Sequence, residues 1–94
     1  MTRRPKPNSI TTFCQYHGIE TNLIFTFQDL GMVEIVEEES GYFLEEEKLG
    51  QLERMVRIYK DLGLSPEGVD VVVGLLDRIQ DLKEENRRLK RKLG

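Results

Sequence analysis

Apolar residues recur along this chain with changing rhythm, and each change marks a new element. From Ile10 to Gly18 a short helical segment carries Phe13 and Cys14 on one side, with His17 beside them. Thr11 is placed to cap it. Gly18 ends it, because glycine takes the left-handed conformation that closes a helix. A second segment opens at Glu20–Thr21 and stops at Gly31, with Leu23, Ile24, Phe27 and Leu30 forming a helical stripe. Two short helices joined through Gly18-Ile19-Glu20 read as a helix-turn-helix.

The rhythm then shifts toward alternation. Met32-Val33-Glu34-Ile35-Val36-Glu37 is rich in β-branched residues, Glu38-Glu39-Ser40-Gly41 is a turn signal, and Tyr42-Phe43-Leu44 is a return strand. The pair predicts a small hairpin, the wing. A long helix is expected over Glu46–Leu62, its stripe running Leu49, Leu52, Met55/Val56, Tyr59 and Leu62, with Gly63 as its stop. Ser65-Pro66-Glu67 is a strong helix start, with Ser as N-cap and Pro in the first helical position.

The last helix is expected from Pro66 to Leu93. At about 1.5 Å per residue it is roughly 42 Å long, more than the width of a small domain, so part of it must project. Val72, Leu75, Ile79, Leu82, Asn86, Leu89 and Leu93 follow steps of three and four, a heptad seam with Asn86 at an a position. Leu75, Ile79, Leu82, Asn86, Leu89 and Leu93 are therefore the expected self-association residues of a homodimer. The seam leaves parallel and antiparallel pairing open. The expected fold class is mainly α: a winged helix-turn-helix with a small β-hairpin, then two long helices, the last projecting and coiled-coil-like. Its divisions are a disordered basic arm over residues 1–8, a winged core over 9–64 and the long helix over 65–94.

With 94 residues the length prior is one domain, whose core is modest, since a chain of this size buries only about 60–65% of its unfolded surface. Charged residues make up 33% and apolar ones 38%, and no apolar run approaches the roughly 20 residues of a membrane helix. The lone Cys14 allows no internal disulfide, and the basic N-terminus is followed by no apolar segment, so a cytoplasmic protein without a membrane partner is expected. The net charge of −3 hides a strong polarity. Between Val33 and Gly50 there are seven acids and one base, whereas between Arg87 and Gly94 there are five bases and no acid.

No catalytic constellation is present, and neither enzyme activity nor a cofactor is expected. A zinc site on Cys14 and His17 lacks two further Cys or His ligands. Cys14 reads as packed core and His17 as the end of its helix. The glutamates lack the oxygen-ligand spacing of a calcium loop and read as a solvated acidic face.

Over residues 10–82 this order of elements resembles the MerR family of regulators. In that family an Ile and a small residue on the first helix precede a Gly-Val turn; here Ile10, Cys14 and Gly18-Ile19 stand in those places. The family's second helix carries Arg-Tyr-Tyr-Glu before Glu-Gly-Leu, with Arg and Tyr on the phosphate backbone. Here the stretch reads Phe25-Thr26-Phe27-Gln28 before Leu30-Gly31-Met32, so Phe25 replaces the Arg. Where the family's wing carries paired arginines before a Tyr, this chain has Tyr42 and Phe43 before Leu44. From Pro7 to Gly50 one base, Lys48, stands against nine acids. Duplex binding draws most of its affinity from Lys and Arg on phosphates, so the usual helix-turn-helix face is expected to bind no nucleic acid.

The chain also resembles the CbpM family of chaperone modulators in Ile10-Thr11-Thr12-Phe13-Cys14, Leu30-Gly31-Met32-Val33-Glu34 and Leu82-Lys83-Glu84-Glu85-Asn86-Arg87-Arg88-Leu89. That resemblance implies inhibition of the DnaJ-type co-chaperone CbpA through its J-domain, which docks on Hsp70 by a basic second helix and a His-Pro-Asp loop. An acidic wing complements such a helix. The expected J-domain contacts are Glu37, Glu38, Glu39, Glu45, Glu46 and Glu47 for charge, with Tyr42 and Phe43 for apolar contact if they face outward. The competing readings are a MerR-like DNA-binding regulator acting through its basic arm or tip, and a plain dimerisation adaptor.

Overall fold

In the computed structural model, which describes residues 8–93, six elements follow one another: helix α1 (Ile10–His17), helix α2 (Thr21–Asp29), strands β1 (Val36–Glu38) and β2 (Gly41–Phe43), helix α3 (Leu49–Leu62) and helix α4 (Pro66–Leu93). A 3-10 turn, Glu46–Lys48, leads into α3. The basic arm lies outside the described residues except for Asn8, which is fixed in place. Its side-chain Nδ2 donates to the Leu44 carbonyl at 2.7 Å and its own carbonyl accepts from the Leu44 amide at 2.9 Å. With a bridge between Ser9 and Phe43, this stitches the entry of α1 to the wing.

Each helix end has an identifiable chemical cause. Ser9, not Thr11, caps α1: its Oγ accepts from the Thr12 amide at 3.4 Å, and its extended backbone leads into the first turn. Thr11 lies one residue inside and is exposed. Gly18, at φ 64°, closes α1 by donating its amide to the Cys14 carbonyl, and the His17 carbonyl accepts from Lys60 Nζ of α3. At the end of α2 the Met32 amide bonds the Phe27 carbonyl and the Gly31 amide the Gln28 carbonyl, both at 2.9 Å, with Gly31 at φ 75°. This is the paired closure that only a left-handed residue permits. Gly63, at φ 62°, ends α3, and Ser65 Oγ accepts from the Gly68 amide at 3.1 Å at the start of α4.

The helical stripes meet in one core. Ile10, Phe13 and Cys14 of α1, Leu23, Ile24 and Phe27 of α2, Leu44 just after β2, Leu52, Met55 and Val56 of α3, and Val69 and Val73 of α4 form a single cluster. Fully burying a side chain such as Phe27 or Leu52 is worth about 1.5–3 kcal/mol, so this cluster is the main source of stability. Met32, Val33 and Ile35, which the β-branched pattern placed in a strand, instead cross to β1 as irregular backbone and pack half-buried against the cluster. Tertiary packing, not ladder pairing, consumes their apolar surface. The long helix likewise begins at Leu49, three residues later than expected, and its last apolar residue, Leu62, stays 60% exposed.

Only the first two turns of α4 are buried in the core. From Gly74 to Leu93 every residue is exposed, and the molecule extends 61 Å along its long axis against 30 and 21 Å across. One ion pair between the side chains of α3 and α4, Arg54 to Asp77 at 3.3 Å, marks where α4 leaves the body.

Candidate protein-binding face

The wing is a two-residue hairpin: Val36 pairs with Phe43, Glu37 with Tyr42 and Glu38 with Gly41, leaving Glu39-Ser40 as the turn. Successive strand residues point to opposite faces, so Glu37 and Tyr42 share one face and Val36 and Phe43 the other. Phe43 is buried. Its place in the expected contact set is therefore corrected: the alternation that turns Tyr42 outward turns its neighbour inward.

Tyr42, by contrast, is 44% exposed and meets Phe25 of α2 edge to face, with ring centroids 5.3 Å apart at 88°. Such a tilted pair is a favourable aromatic geometry. It spans the cleft between the second helix of the helix-turn-helix and the wing, and Phe25 remains half-buried rather than sealed in the core. Phe25 was absent from the expected contact set although its signal stood in the sequence, an aromatic in the place of a phosphate-binding Arg. Its spatial pairing with a wing residue 17 positions away is what the chain order did not display.

Exposed carboxylates stand along the wing and at the entrance to α3. Glu37, Glu38 and Glu39 are exposed along the hairpin and its turn, and Glu45, Glu46 and Glu47 are exposed at the entrance to α3. Among the described residues none of these six makes an ion pair. The second cluster stands next to a first helical turn, where the helix dipole favours negative charge. A groove of about 270 Å³ is lined by Gly31–Glu34 on one side and by Glu45, Lys48 and Gln51 on the other. Glu37 is the cross-strand neighbour of Tyr42, so the aromatic pair has a carboxylate directly beside it.

His17 and Cys14 do not form a site with carboxylates; among the described residues no three of His, Cys, Asp or Glu are gathered as metal ligands would be. Cys14 is buried, and burial pushes its thiol above the ordinary value, which disfavours the thiolate. The His17 ring lies against Phe13 at 4.3 Å and Tyr16 at 5.1 Å.

The expected self-association residues lie together on the projecting part of α4. Leu75, Ile79, Leu82, Asn86, Leu89 and Leu93 are all exposed, and Ile79, Leu82, Asn86 and Leu89 line one shallow groove with Lys83 and Glu85.

Helix-turn-helix, hairpin and long helices define a MerR-type regulatory protein, and the family described as MerR HTH family regulatory protein matches residues 9–91. More narrowly, the chain is similar to the chaperone modulatory protein CbpM of Escherichia coli strains ED1a, UTI89 and HS. Each is 34% identical over 86 residues, which cover 90% of this chain and 85% of the relative. The chain belongs to this MerR-like family of chaperone modulators. No solved structure matches it.

Proposed function

We propose that this chain is a non-catalytic modulator that binds the J-domain of a CbpA-like co-chaperone and keeps it from Hsp70. The observation that carries the reading is the chemistry of the α2–wing face. Where a DNA reader needs cations, Phe25 and Tyr42 form an aromatic pair beside exposed glutamates. A basic helix suits that face, because opposite potentials speed encounter and set orientation while a buried aromatic supplies the anchor. Covering the basic helix of a J-domain removes the surface it offers to Hsp70, so inhibition needs no chemistry beyond binding. Homodimerisation through Leu75–Leu93 is part of the same proposal, because the projecting half of α4 exposes a heptad seam that is left uncovered by the described residues.

The test is Hsp70 ATPase stimulation by the co-chaperone, measured with increasing amounts of this chain. Stimulation falls with the wild-type chain and is restored when Hsp70 is raised in excess, as direct competition requires. A variant with Glu37, Glu38 and Glu39 changed to Lys fails to inhibit. Undiminished stimulation at saturating wild-type chain contradicts the proposal. The DNA-reader alternative is addressed by duplex titration at two salt concentrations, since true phosphate contacts weaken steeply with salt.

A further inference from the structure

Among the described residues the tip of α4 is a second strongly charged surface. From Arg87 to Leu93 five of seven residues are cations, none is an acid, and all are exposed. A helix turns about 100° per residue, so Leu89 and Leu93 continue the seam of Leu82, whereas Arg87 and Arg91 stand one turn apart on the opposite face. The tip thus offers a cationic ridge that remains available when the seam is covered. Its chemistry is the complement of the α2–wing face of the same chain.

We infer that the α4 tip docks on the α2–wing face of a second copy of this chain, with Arg87 and Arg91 on the Phe25–Tyr42 rings and Glu37, Glu38 and Glu39 around them. Guanidinium planes stack on aromatic faces and pair with carboxylates at once, a combination that lysine or an apolar residue does not supply. The occupant is another copy because α4 runs unbroken from Pro66 to Leu93 and its last 20 residues, about 30 Å of helix, carry the tip away from the body. A continuous helix does not fold back onto its own wing. The two patches differ, so the contact is made either twice in a two-fold pair, each tip on the other copy's wing, or head-to-tail between successive copies. The inference rests on reading the α2–wing face as the partner face. It adds a regulation of that face: the tip of one copy and the basic helix of a partner compete for the same rings.

Sedimentation of the full chain at low and high salt tests it without any partner present. The average mass at low salt rises with concentration above the high-salt value, and the excess is lost in Arg87→Glu/Arg91→Glu and in Glu37→Lys/Glu38→Lys. Mixing those two variants restores part of it, because the reversed charges again complement each other. All four positions are exposed, and circular dichroism verifies that both variants keep the wild-type helix content. A salt-independent mass, unchanged association in either variant, or no recovery on mixing overturns the inference. A second arm separates this from the partner reading: Arg87→Glu/Arg91→Glu binds the J-domain at least as tightly as wild type. Loss of J-domain binding in that variant would place the tip, not the wing, against the partner and overturn the competition. Absence of J-domain binding by every protein, with the salt-dependent association intact, would sink the partner reading alone.

Discussion

At the scale of single residues, alternation in the hairpin decides what is offered and what is consumed. Tyr42 and Phe43 are adjacent in sequence and both aromatic, yet one stands beside Phe25 at the surface and the other is buried. Tyr42→Ala is expected to weaken J-domain binding by about 2 kcal/mol, roughly thirtyfold, while costing less than about 1.5 kcal/mol of folding stability, the scale of one aromatic pair. Phe43→Ala reverses that order, losing stability first, and chemical denaturation beside a binding titration distinguishes the two. Cys14 gives a pH-linked prediction. Burial raises its thiol, so the unfolded chain sheds that proton first as pH passes the ordinary value of 9.0. The folded state then binds the extra proton, and stability falls with rising pH above that point. Cys14→Ala removes this part of the alkaline loss, and the difference between the two denaturation profiles measures it.

At the scale of elements, helices were far more legible in the sequence than strands. The stripe Leu23, Ile24, Phe27 and the stops at Gly18, Gly31 and Gly63 place α1, α2 and α3 within a few residues, because apolar spacing and left-handed closure are local causes. Ser65-Pro66 places the start of α4 for the same reason. Met32–Ile35 read as strand and proved to be core-packed loop, since burial against residues distant in sequence outweighs a local β preference. The cap of α1 lies at Ser9, two residues before Thr11, where the bond from the adjacent Asn8 to Leu44 fixes the chain, a constraint no local window contains. The acidic wing and the exposed seam were legible as composition and spacing, but the Phe25–Tyr42 pair exists only once the hairpin has folded against α2. Gly18→Ala tests the element-level account. A Cβ there meets only Lys60 Nζ at an ordinary 3.7 Å, so the expected loss of about 1–2 kcal/mol is the cost of the left-handed backbone alone, read by urea denaturation.

At the scale of the whole molecule, a compact body with an acidic, aromatic face carries a long arm with an apolar seam and a basic tip. The proposed partner face and the exposed apolar seam thus lie on different parts of the chain. Leu82→Pro breaks the arm far from the core, and it is expected to abolish association through the seam while leaving the body folded and its wing able to bind, as gel filtration and a binding titration together would register. The most direct measurement is calorimetric titration of the full chain into the J-domain of the co-chaperone from the same organism, at low and high salt, beside the variant with Glu37, Glu38 and Glu39 changed to Lys. The account predicts tight binding that salt weakens and the variant loses. No heat at micromolar concentrations, or binding indifferent to both salt and the three substitutions, would contradict it.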